Sequence, residues 1–196
     1  MKTRTILILF LGLACVGSFG STASAQSEKF SALAYLQSGA GVRMVGAGAT
    51  LNTDIYIDRY SSDAEAKQLE QALLSGGGSA VSKILENMDR IGKVQLTGRV
   101  GFYDLKFIRS RKIEGGRRII AVTDRPISGL EAYYGSRSQD YDIGIMTLDV
   151  KPDKKGREKG QGVLIYSAKV KLINGNTVEI ENYGVSPAQL RNVRKL

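Results

Sequence analysis

Histidine and tryptophan are absent from this 196-residue sequence, and cysteine occurs once, at position 15. Each absence excludes chemistry. Without histidine there is no Ser-His-Asp triad and no imidazole base. Cys15 falls inside an N-terminal apolar run that reads as a leader. The chain that follows therefore has no thiol nucleophile, no disulfide and no Cys/His site for zinc, copper or haem. Carboxylate pairs, a Ser-Lys dyad and all-oxygen calcium binding survive these exclusions. Fewer enzymes work that way, so the composition weighs against catalysis. It implies no cofactor.

Long apolar runs are scarce as well. The clearest covers residues 6–16, shorter than the roughly 20 residues a membrane-spanning helix needs. Lys2 and Arg4 precede it, and a small-residue segment ending Ala23-Ser24-Ala25 follows it. That is the layout of a secretory signal peptide over residues 1–25, cleaved before Gln26. Leu13-Ala14-Cys15 has the outline of a lipoprotein site, but Gly12 stands where such sites carry leucine, and the downstream site is cleaner. The expectation is a secreted or periplasmic protein with no lipid and no transmembrane segment.

Residues 26–196 suit a single domain, large enough to bury a core without covalent staples. Most of it alternates with period two, the signature of strands. Candidate strands cover residues 27–37, 50–60, 93–97, 102–112, 117–124, 127–134, 141–151, 162–173, 177–183 and 190–195. The stretch 149–160, with Pro152 and several lysines, reads as an exposed loop. The period changes only at 62–89. Ser62-Asp63-Ala64-Glu65 has capping-box spacing. Ala66, Leu69 and Leu73 follow at helical intervals. Gly76-Gly77-Gly78 interrupts them, and Val81, Ile84, Leu85 and Met88 resume the stripe. This predicts a helical hairpin covering one face or end of the sheet. The fold class is therefore α+β, mainly β: an antiparallel β-barrel or β-sandwich of about 8–10 strands with an inserted helical hairpin.

One register follows from pattern alone. A three-residue loop, Asn174 to Asn176, sets Val170 opposite Ile180 and Leu172 opposite Val178. On the other face it sets Lys171 opposite Glu179 and Lys169 opposite Glu181. A two-residue Asn-Gly turn would mix apolar with polar on both faces, so the longer loop is expected.

The formal charge is +9, of which Lys2 and Arg4 leave with the leader. Basic residues gather in three runs: Lys106, Arg109, Arg111, Lys112, Arg117 and Arg118; then residues 151–159; then Arg191, Arg194 and Lys195. For a secreted protein this implies weak electrostatic association with anionic envelope surfaces. The two helical segments carry only Lys67 and Lys83, so no recognition helix is indicated. The scarcity of large aromatic rings supplies no stacking platform for single-stranded bases. Sequence-specific nucleic-acid binding is not expected.

Few residues stand out as a site. Gly39, Gly41, Gly46 and Gly48 lack the Gly-Lys-Ser/Thr of a phosphate loop. Asp54 and Asp58 share a strand face about 13 Å apart, too far for one ion. Glu179 and Glu181 imitate a glycosidase pair, but the register above gives them lysine partners. Tyr133, Tyr134, Arg137 and Tyr141 interleave rings with charge and form the best ligand-binding patch, although tyrosine is ordinary at strand ends.

At Thr123-Asp124-Arg125-Pro126-Ile127, and at Ile180-Glu181-Asn182-Tyr183-Gly184 with Asn192-Val193-Arg194, the chain resembles a group of secreted bacterial proteins of unknown function. The resemblance implies a bacterial envelope location and assigns no catalytic residue. The expected function is a non-enzymatic binding or envelope-associated protein, its ligand a small apolar molecule or an anionic envelope component. The alternative is a carboxylate- or Ser-Lys-based hydrolase of envelope glycans or other anionic substrates. A third reading is a passive structural component that recognises another envelope protein.

Overall fold

The computed structural model describes residues 27–35, 50–97, 101–127, 142–173, 177–182 and 186–196. The elements run β1 (Glu28–Tyr35), β2 (Thr50–Ile57), α1 (Asp63–Asn87), β3 (Gly92–Leu96), β4 (Tyr103–Ile113) and β5 (Gly116–Thr123). They continue with β6 (Ile143–Pro152), β7 (Glu158–Ile173), β8 (Thr177–Asn182) and β9 (Ala188–Lys195). The sheet order is β6-β5-β4-β3-β2-β1-β9-β7-β8, and β6 also pairs with β7. That last pairing closes an eight-stranded antiparallel barrel, with β8 attached outside it to β7. Of the two architectures the pattern allowed, closure selects the barrel, which leaves no ladder edge within the ring.

Alternation sorts the side chains. Phe30, Ala32 and Ala34 of β1 and Ile55 and Ile57 of β2 point inward. Ile119 and Ala121 of β5, and Met146, Leu148 and Val150 of β6, meet them there. An eight-stranded barrel is about wide enough for its own side chains to fill, and these residues form one contiguous buried core. A second core lies outside the wall. Phe107, Val122, Ile143, Ile145 and Ile165 face outward, and α1 covers them with Leu69, Leu73, Val81 and Leu85. A bulge where β7 passes Ile143 and Ile145 shifts its alternation. It turns Ala168 and Val170 into this outer core, as bulges re-aim side chains.

The capping box forms: Ser62 Oγ accepts from the Glu65 N–H at 3.2 Å, and the Ser62 N–H donates to Glu65 Oε2 at 2.6 Å. The helical span is one 25-residue element broken at Gly77, whose φ is 66° and ψ −158°. Its two ends show that it doubles back. The Ser61 N–H donates to the Ile108 carbonyl, and the Ile91 N–H donates to the Leu105 carbonyl. Those anchors are about 10 Å apart along β4, whereas a straight helix of this length spans about 37 Å. The tip crosses to β7, where a Cβ on Gly78 would lie 2.6 Å from the Val170 carbonyl oxygen. Lys106 holds the far end, donating to the Met88 carbonyl at 2.8 Å.

The β7–β8 register is the one expected, with Val170 opposite Ile180, Leu172 opposite Val178, Lys171 opposite Glu179 and Lys169 opposite Glu181. Asn174 to Asn176 lie outside the described residues. Two expectations need correction. Residues 149–160 are not a loop: Asp149 to Pro152 pair with Gln161 to Glu158, which leaves only 153–157 as a turn. The Asp153 carboxylate accepts from the Lys155 and Arg157 N–H groups, so the turn's amides are satisfied internally and pairing runs to its base. Ile127 does not begin a strand. It is fully buried, and its N–H donates to the Tyr166 carbonyl at 2.7 Å. The rest of the 127–134 candidate lies outside the described residues, as do residues 1–25.

Among the described residues no helix is long and apolar enough to cross a membrane.

Candidate functional site

The barrel has two unlike ends. Glu28, Ile57, Gly92, Gly116, Glu158 and Lys195 mark the turn end, where the β4–β5 and β6–β7 connections are short. From the opposite end depart the connections 36–49, 97–102, 124–142 and 183–187. Tyr133, Tyr134, Arg137 and Tyr141 belong to the β5–β6 connection and lie outside the described residues, as do Gly39, Gly41, Gly46 and Gly48. The quoted motif around Thr123 has a structural use at that end. The Thr123 hydroxyl is buried, accepts from the Gly144 N–H at 2.7 Å and donates to the Arg125 carbonyl at 2.5 Å.

The turn end is closed by charge. Glu28 continues the inward row of Phe30 and Ala32, and Arg117 continues that of Ile119 and Ala121. Arg117 makes a two-pronged contact with Glu158, Nε to Oε1 and Nη2 to Oε2, both at 2.6 Å. Its Nη2 also donates to Glu28 at 3.0 Å, and its Nη1 to the Tyr60 hydroxyl at 2.9 Å. Tyr60 donates to Glu28 Oε2 at 2.5 Å, and Lys195 Nζ donates to Glu28 Oε1 at 2.7 Å. Burial pushes the Glu28 carboxyl upward, but the bonds from Lys195, Tyr60 and Arg117 outweigh it and hold it below its ordinary value. Burial and the bond to Glu28 push the Tyr60 phenol up. The Glu158 contact raises Arg117 further. Two carboxylates, two cations and a phenol thus neutralise one another across the mouth.

Around this plug lies a basic rim. The β4–β5 and β6–β7 turns are neighbours: a Cβ on Gly115 would lie 3.7 Å from Lys151 Nζ. β9 brings the third run alongside, with Lys159 opposite Arg194. Most acids here are already engaged. Asp149 takes Arg118 in two bonds of 2.5 Å. Asp153 takes Arg157 and Lys159, each at 3.1 Å. The turn amides of Arg157 and Lys155, with those cations, hold the Asp153 carboxyl well below its usual range. Arg111, Lys112, Lys151, Lys154 and Lys155 are exposed, with no acidic partner among the described residues.

The remaining basic residues of the first run serve packing. Lys106 also pairs with Asp124 at 3.6 Å, and Arg109 bonds the Ser61 carbonyl and Asp63. Lys171 bonds Glu181 at 2.6 Å, diagonal to its direct cross-strand partner. Among the described residues no three His, Cys, Asp or Glu side chains come together to hold a metal.

Sequence reasoning found the three basic runs but missed both their convergence and the plug. The plug did leave a signal: Glu28 and Arg117 sit at strand ends in the parity of the apolar residues, where a charge must find a partner. Which partner depends on the ring closing.

The chain matches no protein-family model, no curated protein and no solved structure.

Proposed function

We propose that this is a non-enzymatic, secreted or periplasmic binding protein that holds to an anionic component of a bacterial envelope through the turn end of its barrel. One observation carries the reading: residues of three basic runs far apart in sequence, among them Lys112, Lys151, Lys159 and Arg194, gather toward one rim, where most of the acids are already paired. A rim of this kind attracts polyanions at long range, and salt weakens it over a Debye length of about 8 Å at physiological strength. The leader at residues 1–25 and the resemblance to secreted bacterial proteins support the location.

Two other expectations receive less support. The described inward side chains form one contiguous apolar core, which gives a small apolar ligand less support than the anionic partner. Glu28 and Glu158 approach a common arginine, but glycoside hydrolysis needs one protonated carboxyl, and Glu28 is held ionised by three donors.

The test is co-sedimentation of the mature protein with anionic liposomes across a salt series. Binding at low salt that disappears by about 0.5 M, and that falls in a Lys154→Glu/Lys155→Glu variant, is expected. Binding indifferent to those substitutions, or no binding at low salt, would overturn the proposal.

A further inference from the structure

The helical hairpin covers the outer wall from β4 to β8 and leaves the wall of β9, β1, β2 and β3 open among the described residues. That open wall is ordered in rows. Lys29 of β1, Tyr56 of β2 and Lys93 of β3 lie side by side by register. The two ammonium groups sit 5.0 and 4.9 Å from the Tyr56 ring centroid. Lys93 also lies 5.2 Å from the centroid of the Phe102 ring, and the Arg90 guanidinium lies 5.6 Å from the same centroid. Phe102 is 44% exposed. Cations and rings thus cluster on this wall, and the row ends at Asp104 of β4, opposite Lys93.

The next row holds Gln95, Asp54, Ser31 and Arg194. It borders a cavity of about 400 Å³ lined by Ser31, Asn52, Asp54, Thr97, Asn192 and Arg194. That volume falls within the usual ligand range of about 300–1,000 Å³. A bulge in β9 shapes one side: Asn192 has φ 53°, and Arg191 and Asn192 are exposed in succession. The Arg194 Nε donates to the Ser31 hydroxyl at 2.9 Å, which fixes the guanidinium over the cavity edge.

We propose that this wall binds an acidic oligosaccharide, with a sugar ring packed on the exposed Phe102, carboxylates met by the lysines that Tyr56 holds in place, and hydroxyls held in the adjoining cavity. A pyranose ring offers C–H groups to an aromatic face and hydroxyls to Asn52, Asp54 and Thr97. Its carboxylate meets Lys29, Lys93 or Arg194. A neutral glycan leaves three cations unmatched. A polyphosphate has no ring to stack and no hydroxyl to donate to Asp54. The inference deepens the anionic-partner reading and shares Arg194 with the rim, but its other contacts lie on the open wall, so variants at Tyr56 and Lys93 and variants at Lys154 and Lys155 separate the two.

The experiment is calorimetric titration of the mature protein at physiological salt with tetragalacturonate, a neutral glucose tetramer, inorganic polyphosphate and oligothymidylate. Tetragalacturonate is expected to bind, and the neutral tetramer at least about tenfold more weakly. Tyr56→Ala and Lys93→Gln should each weaken uronate binding about tenfold with unchanged melting temperature. Tyr56→Phe should bind as the parent does. Lys154→Glu/Lys155→Glu should retain uronate binding even where it loses liposome binding. No uronate binding at millimolar ligand would overturn the inference. So would unchanged affinity in Tyr56→Ala, or binding of polyphosphate or oligothymidylate as tightly as the uronate. Uronate binding lost only in the Lys154/Lys155 variant would overturn it while leaving the basic-rim proposal standing.

Discussion

The guanidinium of Arg117 on β5 meets the carboxylate of Glu28 on β1 at 3.0 Å, although the two strands stand on opposite sides of the ring. In the closed order, four steps separate β1 from β5 in either direction. The pair is a strut across the barrel mouth, tied at the same point to Glu158, Tyr60 and Lys195. Arg117→Ala removes the main shared partner and leaves the two carboxylates with only Lys195 between them. Loss of one member of a buried pair costs on the order of 3 kcal/mol, or roughly 6–12 °C in a domain of this size. Arg117→Lys should recover only part of this, because an ammonium lacks the planar fork that holds Glu158 twice. Thermal melts of the two variants against the parent measure both effects.

Acid should weaken the fold. Glu28 has a folded pKa below its ordinary 4.5. Glu65 is lowered to about 2, chiefly by Arg59, with help from the Ser62 N–H and hydroxyl. Where the folded pKa is depressed, the unfolded chain takes up protons first, so stability rises with pH. This contribution is complete above about pH 5 and is lost as pH falls from 4.5 toward 2. Urea midpoints at pH 6, 4 and 3 should fall in that order. Glu28→Gln and Glu65→Gln should each start lower at pH 6 and decline less.

The hairpin tip tests the fold-back. Gly77→Ala places a Cβ at positive φ, a conformation costing about 1–3 kcal/mol for a non-glycine residue. Gly78→Ala drives a Cβ into the Val170 carbonyl and should lift the tip from β7. Lys83→Ala, exposed on the second helical segment, should change stability by less than about 0.5 kcal/mol. Equal melting of all three would mean that the tip does not rest on β7.

The β7–β8 pairing gives a contrast between neighbours. Val170 packs beneath α1 opposite Ile180, and Val170→Glu should cost about 3 kcal/mol by burying an unpaired charge. Lys171→Glu replaces a surface pair with Glu181 by a like charge opposite Glu179, a solvent-exposed change that should cost about 1 kcal/mol. Chemical denaturation of the two variants distinguishes this register from a one-residue slip, which would reverse the ranking.

The signal peptide expected over residues 1–25 makes a direct prediction. Protein secreted by a bacterial host should begin at Gln26, free or cyclised, by intact mass and N-terminal sequencing. A diacylated Cys15 as the first residue would replace release with a lipid anchor.

Much of the wall was legible because each strand repeats its instruction locally. Phe30, Ala32 and Ala34 alternate with Lys29, Ser31 and Leu33, and period two needs no knowledge of the partner strand. The capping box at Ser62 and the break at Gly77 are also local, set by a hydroxyl three residues from its amide and by a residue without a Cβ. The β7–β8 register could be read because both faces had to match over a three-residue loop. Residues 149–160 misled because lysine and proline density resembles a loop, whereas the Asp153 carboxylate closes a tight turn and lets the strands continue.

The sequence by itself determined the composition's exclusions, the alternating wall, the helical hairpin and the basic excess, all of which depend on residue type and short spacing. Only the tertiary structure decided that β6 meets β7, and with it barrel over sandwich. Closure placed Glu28 across from Arg117 and brought Lys112, Lys151 and Arg194 to one rim. It also lined Lys29, Tyr56 and Lys93 along one open row. Each of these is a juxtaposition across strands, and no local period encodes which strand lies next to which.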